Sequence, residues 1–75
     1  MTTKEKTIFR RIIDKEGIKQ SVLSRESGLA VASLARYSYS EDCPMPANQA
    51  IIVNSINKLA LSGKKYTIDD IFPQK

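Results

Sequence analysis

The chain has 75 residues, of which 41% are hydrophobic and 27% charged, the composition of one ordinary globular domain and not of a disordered or collagenous segment. Histidine is absent and Cys43 is the only cysteine, so an intramolecular disulfide, a four-ligand Cys/His zinc site and a Ser-His or Cys-His catalytic pair are excluded. A chain of this size also has little room for a core and an enclosed active site together. We therefore expect no enzyme, no metal and no other cofactor.

The net charge of +4 arises in the first half of the chain. Residues 1–36 contain eight cationic and four anionic side chains, whereas residues 37–75 contain four of each. This asymmetry is expected of a domain whose basic half meets a polyanion, and a small protein that is merely basic is the alternative. With one cysteine, no signal-peptide core and no apolar run of membrane-spanning length, we expect a cytoplasmic protein that does not enter the membrane.

The apolar spacing predicts an all-α fold in one domain, residues 1–75, that begins with two short helices. The first helix covers about residues 4–16 and ends at Gly17, a natural left-handed cap. Its apolar stripe consists of Ile8, Phe9, Ile12 and Ile13. The second helix covers about residues 19–27, and Ile18 and Leu23 stand where a hydrophobic staple would close its first turn.

A third helix over about residues 30–37 is followed by a loop over residues 38–46, which contains turn formers and two prolines. Residues 47–61 form the most regular apolar helix of the sequence. Thr67 and Asp70 are spaced as a capping box for a short last helix. We expect a common core made of Leu23, Leu29, Leu34, Ile52, Ile56 and Leu59.

Two stretches also show the period-two alternation of a strand. They are residues 37–40 and residues 66–72. We rank a strand at either place below the helical interpretation, because neither stretch has a convincing partner strand.

Residues 20–37 have the layout of a helix-turn-helix, two short helices joined by a tight turn at a glycine. The motif requires an aliphatic anchor, a small residue where the helices cross, a turn residue that tolerates positive φ, an apolar plug and an aliphatic residue in its second helix. These requirements are met in order by Leu23, Ser24, Gly28, Leu29 and Leu34. The outer face of the third helix is then free to enter a major groove.

On these residues, the segment GIKQSVLSRESGL (residues 17–29) resembles the lambda-repressor/Cro-like, or XRE-type, helix-turn-helix family. The segment YTIDDIFP (residues 66–73) is similar to the short last helix of many members. The resemblance implies a compact five-helix, all-α DNA-binding domain with its helix-turn-helix at about residues 19–37. Members are usually transcriptional regulators such as repressors, often of phage or mobile-element origin.

The chain departs from the family pattern at several positions, of which Ser24, at the helix crossing where Ala is common, is a tolerable change. Lys19 and Ala30 stand at the helix caps, where Ser or Thr is common, and each substitution weakens the cap by about 1 kcal/mol. Ile13 and Ser38 stand where the family often pairs an Arg late in helix 1 with a Glu just past helix 3. The loss of both charges together is consistent, because the loss of one would leave the other buried without a partner.

The resemblance implies that Gln20, with the first backbone N–H groups of helix 2, holds a phosphate. Arg36 is the candidate for a base contact, since a guanidinium binds guanine O6 and N7 bidentately, with a phosphate contact or a free surface charge as alternatives. Val31 and Ala32 lie at the tip of helix 3 and suit thymine methyl groups, unless they belong to the core or to a protein contact. For the two arginines of helix 1 a solvated face is the alternative, and for Tyr39 a role in covering the core. The predicted DNA-binding set is Arg10, Arg11, Lys19, Gln20, Val31, Ala32, Ser33, Arg36 and Tyr39.

We therefore expect a sequence-specific double-stranded DNA-binding regulator that acts as a homodimer. One such domain buries too little surface for tight specific binding, and the two half-sites of a palindromic operator are the usual remedy. The predicted dimer surface is the C-terminal third, where Ile68, Ile71 and Phe72 offer apolar surface, unless they merely cap the core. The alternative function is a protein-interaction module that keeps the helix-turn-helix scaffold without DNA binding, which the apolar Val31–Ala32 tip and the modest net charge would suit.

Overall fold

The computed structural model describes residues 7–39 and 44–73. Within these residues the chain forms five α-helices and no strand: α1 (Ile8–Lys15), α2 (Gln20–Ser27), α3 (Val31–Tyr39), α4 (Pro46–Leu59) and α5 (Ile68–Ile71). The prediction of an all-α fold is therefore confirmed. Each described helix is too short or too polar to cross a membrane.

The helices differ from the predicted ones mainly at their ends. The first begins at Ile8, because Thr7 is its N-cap with an extended backbone, and the predicted residues 4–6 lie outside the described part of the chain. The third runs on through Tyr39, so the strand alternative is wrong for residues 37–39. It is also wrong for the C-terminal stretch, where a helix forms. The fourth begins at a proline in its first turn and ends at Leu59.

A single cluster of buried apolar side chains holds the helices together. Four of the six predicted core residues are fully buried, namely Leu23, Leu34, Ile52 and Ile56. The other two, Leu29 and Leu59, are half-buried and pack against the cluster. The core also includes other buried apolar residues, namely Phe9 and Ile13 of α1, Ile18 before α2, Val53 of α4, and Tyr66, Ile71 and Phe72 of the C-terminal segment.

The C-terminal helix faces the inside of the molecule. Ile71 and Phe72 are buried, and the Phe72 ring stacks on that of Phe9 with 5.7 Å between the ring centroids. The expectation that these two residues offer apolar surface is therefore wrong, because α5 packs against α1 and α4. The predicted capping box is confirmed, since Thr67 Oγ1 accepts from the Asp70 N–H and the Asp70 carboxylate accepts from the Thr67 N–H.

Thr7 joins the start of α1 to the end of α3. Its hydroxyl donates to the Tyr37 carbonyl at 2.7 Å and accepts from the Arg10 backbone N–H at 3.3 Å. Its own backbone N–H donates to the Ser38 carbonyl at 2.9 Å. Both helix ends would otherwise leave these groups without intrahelical partners. This contact explains why α3 continues past the predicted end.

The turn between α2 and α3 is fixed by hydrogen bonds within it. Gly28 has a φ of 78°, the left-handed conformation predicted for the helix end. The Ser24 hydroxyl, at the predicted small position, donates to the Leu29 carbonyl at 2.5 Å. The Ser27 hydroxyl accepts from the Leu29 N–H at 3.2 Å. The direction in which α3 leaves the turn is thus set by side chains of α2.

A buried carboxylate ties the end of α1 to the segment before α5. Glu16 accepts hydrogen bonds from the Tyr66 hydroxyl at 2.6 Å, the Ser62 hydroxyl at 2.8 Å and the Ser62 N–H at 3.1 Å. Because these donors stabilise the charged form, led by Tyr66, they lower the pKa of Glu16 from its usual 4.5 to about 2. The same hydrogen bond, together with burial, raises the pKa of the Tyr66 hydroxyl. Glu16 therefore belongs to the interior, although its place in the sequence suggested only a polar turn.

Replacement of Leu34 by alanine tests the core that orients α3. The side chain is fully buried, so we expect Leu34→Ala to lower the free energy of unfolding by about 2–5 kcal/mol, measured by urea denaturation. Leu61, which is 84% exposed, provides the control, and Leu61→Ala should change stability by less than about 0.5 kcal/mol. A loss below about 1 kcal/mol for Leu34→Ala would remove this residue from the core.

The lowered pKa of Glu16 predicts an acid-sensitive stability. The unfolded chain binds a proton near pH 4.5 and the folded chain only near pH 2, so this stabilisation is present above pH 4.5 and is lost as the pH falls toward 2. We expect Glu16→Gln to flatten the decline of the melting temperature over this range. Asp70, whose pKa is also lowered by its hydrogen bonds with Thr67, contributes to the decline in stability at low pH in both proteins. Glu26→Gln, at a carboxylate 3.7 Å from Lys58 Nζ on the surface, is the control. An unchanged profile in Glu16→Gln would contradict the assignment.

Candidate nucleic-acid interface

α3 has one buried face and one exposed face. Leu34 and Ser38 are fully buried, on the side where α3 packs against α1 and α2. Successive residues of a helix are rotated by about 100°, so the opposite side is open to solvent. The exposed residues of α3 are Val31, Ala32, Arg36 and Tyr39, with Ser33 and Ala35 half-buried beside them.

The tip of α3 is apolar and uncovered. Val31 is 44% exposed and Ala32 is also exposed. The alternative in which these two residues belong to the chain's own core is therefore wrong, because the inward face of α3 is already occupied by Leu34 and Ser38. Their aliphatic side chains face solvent.

Arg10 reaches the C-terminal end of α3. Its guanidinium carbon lies 5.7 Å from the centroid of the Tyr39 ring, within the range of a cation–π contact. Its Nε also lies 3.2 Å from Asp14 Oδ1, an ion pair without hydrogen-bond geometry. Tyr39, expected in a loop, is instead the last residue of α3 and is 40% exposed. Arg11, the next residue along α1, is exposed as well.

Gln20 contacts α3 from α2, whereas Arg10 contacts it from α1. Gln20 is the first residue of α2, and its side-chain Nε2 donates to the Ser38 hydroxyl at 3.1 Å. Lys19 is the exposed N-cap of α2, and its side chain makes no capping hydrogen bond. The first-turn N–H groups of α2 are therefore not capped by the side chain that precedes them, which favours an anion at this position.

An open groove joins these groups between the end of α1 and the start of α2. It encloses ≈ 380 Å³ and is lined by Arg10, Ile13, Asp14, Gly17, Ile18, Lys19 and Gln20. Three of the predicted phosphate-binding residues, Arg10, Lys19 and Gln20, thus share one concave surface. Arg36 and the apolar tip belong instead to the exposed face of α3. Arg11 is on neither surface.

Ser38 contacts the candidate site, although the sequence did not predict it as a site residue. It was noted only as the position of a family glutamate, whereas the structure places its hydroxyl between Gln20 and the α3 backbone. One signal was present in the sequence, since Ser38 lies one turn after the inward-facing Leu34. A serine on that stripe must find hydrogen-bond partners within the protein.

The surface offers cationic groups, N–H donors and apolar side chains. The described residues include no cluster of three or more His, Cys, Asp or Glu side chains that could hold a metal ion. Comparisons with protein-family models, with curated proteins and with solved structures give no match for this chain. The family resemblance therefore depends on the residues of the chain alone, and so does the interpretation of this surface.

Proposed function

We propose that this protein is a sequence-specific double-stranded DNA-binding regulator of the helix-turn-helix type, in which α2 and α3 form the motif and the exposed face of α3 enters the major groove. The observation that supports this most strongly is the arrangement around α3. Its outward face carries one guanidinium and an apolar tip. Donor side chains of α1 and α2 contact the C-terminal end of α3, at Tyr39 and at the buried Ser38. Repressor and Cro-like regulators are the class that this arrangement suits.

The groove between α1 and α2 contacts the phosphate backbone in this proposal. Lys19 supplies charge and Gln20 supplies an amide N–H beside the first N–H groups of α2. Arg10 adds a guanidinium whose Nε is paired with Asp14, which also lines the groove. Helix N-termini and cationic side chains are the usual phosphate ligands of DNA-binding domains. Such contacts orient the domain on the duplex without selecting a sequence. Arg11 adds to the positive charge of the same helix.

The exposed face of α3 reads the bases. Arg36 is the only exposed charged residue of α3, and it suits a guanine, whose O6 and N7 accept a bidentate pair of hydrogen bonds. Val31 and Ala32 suit thymine methyl groups. Ser33 is half-buried at the edge of this face, and its hydroxyl can donate or accept a hydrogen bond. α3 contains no amide or carboxylate side chain, so adenine and cytosine lack their common partners.

A homodimer on a palindromic operator completes the proposal. One domain of this size buries about 600–1,000 Å² on DNA, which limits its specificity unless two half-sites are bound together. We place the dimer contact in the C-terminal third. With Ile71 and Phe72 buried in the core, Ile68, which is 36% exposed, is the apolar residue of α5 left to make it. We expect such a regulator to act in the cytoplasm.

The phosphate and base contacts are separated by their salt dependence. We expect the logarithm of the binding constant of the dimer to fall with log salt with a slope of about −4 to −6 over about 50–200 mM salt, measured by fluorescence anisotropy. Arg10→Ala should weaken all duplexes alike and flatten the slope by about one unit for each half-site, which is about two units for the dimer. Arg36→Ala should cost about 1–3 kcal/mol on a site selected from random duplexes and relax preference at one base pair.

Lys65→Ala is the matched control, because it removes the same charge from the exposed segment between α4 and α5 and should leave slope and preference unchanged. If selection from random duplexes enriches no sequence and binding at low salt stays weaker than about 10⁻⁴ M, DNA binding is wrong. The protein-interaction module, with the apolar tip of α3 as its contact, then takes its place.

Thymine recognition is tested by substituting uracil, which lacks only the methyl group. At a thymine under Val31, we expect uracil to weaken binding about fourfold, the effect of about 0.8 kcal/mol for one methyl-sized group. Val31→Ala should remove most of this sensitivity at that position. Val22→Ala on α2, at a valine of similar exposure (41% against 44%), is the control and should keep it. Equal affinity for thymine and uracil at every position of the selected site would exclude methyl recognition.

A further inference from the structure

Ser38 has a hydroxyl whose hydrogen is already committed. The residue is fully buried in α3, and Oγ donates to the Leu34 carbonyl at 2.8 Å. A hydroxyl has one hydrogen and two lone pairs, so any further partner of Ser38 must be a donor. Because its hydrogen is used in the bond to the Leu34 carbonyl, Ser38 Oγ can only accept hydrogen bonds from other groups.

This commitment decides which end of the Gln20 amide points inward. The amide oxygen and nitrogen are similar in shape, and their assignment follows from the hydrogen-bond network. Only the nitrogen can donate to the Ser38 hydroxyl, and Nε2 lies 3.1 Å from Oγ. With the opposite orientation, an amide oxygen would face a hydroxyl oxygen with no hydrogen between them. The chain from the Leu34 carbonyl through Ser38 thus selects one of the two orientations.

The selected orientation leaves a second donor available. The amide nitrogen carries two hydrogens, and one of them serves Ser38. Gln20 is the first residue of α2, so the other N–H is close in the chain to the first backbone N–H groups of that helix. An amide free to rotate would present its oxygen to an anion part of the time, and that contact is repulsive.

We propose that Ser38 is a positioning residue for phosphate binding, which fixes the Gln20 amide with an N–H, and not its oxygen, toward the DNA backbone. The inference rests on the proposed function, since it specifies how one side chain of that interface is prepared before DNA arrives. Fixing the amide in the free protein removes an ordering cost from binding. It also links α2 to α3, so that the phosphate contact and the base-reading helix keep one relative position.

The first experiment needs no DNA. In the ¹⁵N-labelled wild-type protein, we expect a nuclear Overhauser effect between the Gln20 side-chain amide and the Ser38 β-protons, and a side-chain amide more ordered than those of exposed amides. Ser38→Ala should abolish this order. Ser55→Ala is the matched control, because Ser55 is also a buried helical serine and its hydroxyl donates one turn back, to the Ile51 carbonyl at 2.9 Å, away from Gln20.

The second experiment is a double-mutant cycle on duplex affinity, with folding checked by urea denaturation. Ser38→Ala should weaken binding about three- to tenfold, as for the loss of one hydrogen bond. In a Gln20→Ala background the same substitution should have no further effect, because the side chain that it positions is gone. Ser55→Ala should leave affinity unchanged. A structural defect alone would lower affinity equally in both backgrounds.

The outcomes separate the two claims. A Gln20 amide that is as mobile in the wild-type protein as in Ser38→Ala overturns the positioning role, whatever the DNA results. An ordered amide with no effect of Ser38→Ala on a duplex that the wild type binds also overturns it. If the wild type binds no duplex, the proposed function and the phosphate contact are wrong together, and the amide measurement alone decides whether Ser38 orients Gln20. If Ser38→Ala does not fold, the nuclear Overhauser effect in the wild type still decides this point.

Discussion

The exposed face of α3 depends on the way in which Thr7 joins two helix ends. Its hydroxyl donates to the Tyr37 carbonyl and accepts from the Arg10 N–H, while its backbone N–H donates to the Ser38 carbonyl. The last carbonyls of α3 and a first N–H group of α1 are therefore satisfied through one residue. Because this contact fixes α3 along and around its axis, it decides which of its side chains face solvent, and Leu34 completes the orientation by filling the core.

Features that depend on neighbouring residues could be predicted from the sequence. The left-handed turn at Gly28 and the capping box of α5 are examples, since each requires residues only a few positions apart. Glu16 shows the limit. Its partners, Ser62 and Tyr66, come from the other end of the chain, and only packing brings them to it. A carboxylate that is exposed and one that is buried among donors look alike in a local pattern.

The candidate site also has a part that could be predicted from the sequence and a part that could not. Once Leu34 is taken as inward-facing, the helical period places Arg36 and the apolar tip outside, and their exposure could be predicted. The bond between Gln20 and Ser38 could not, because it depends on the distance between two helices. Phe72 was misjudged for a related reason, since a short apolar helix has the same pattern whether it faces a partner or its own core. The ring of Phe9, far away in the sequence, decides the matter.

The stacking of Phe9 on Phe72 also makes the described chain nearly a closed loop. The first helix packs against the last one, with 5.7 Å between the Phe9 and Phe72 ring centroids, and the Glu16 carboxylate holds the end of α1 to the segment before α5. The same packing of helices could therefore be formed by a chain whose ends lie at a different point of the backbone. A circular permutant opened at Gly63, in the exposed turn after α4, and closed by a linker from Pro73 to Thr7 would keep the contacts of α5 with α1 and α4, because domains tolerate such rearrangement where the joined segments are adjacent.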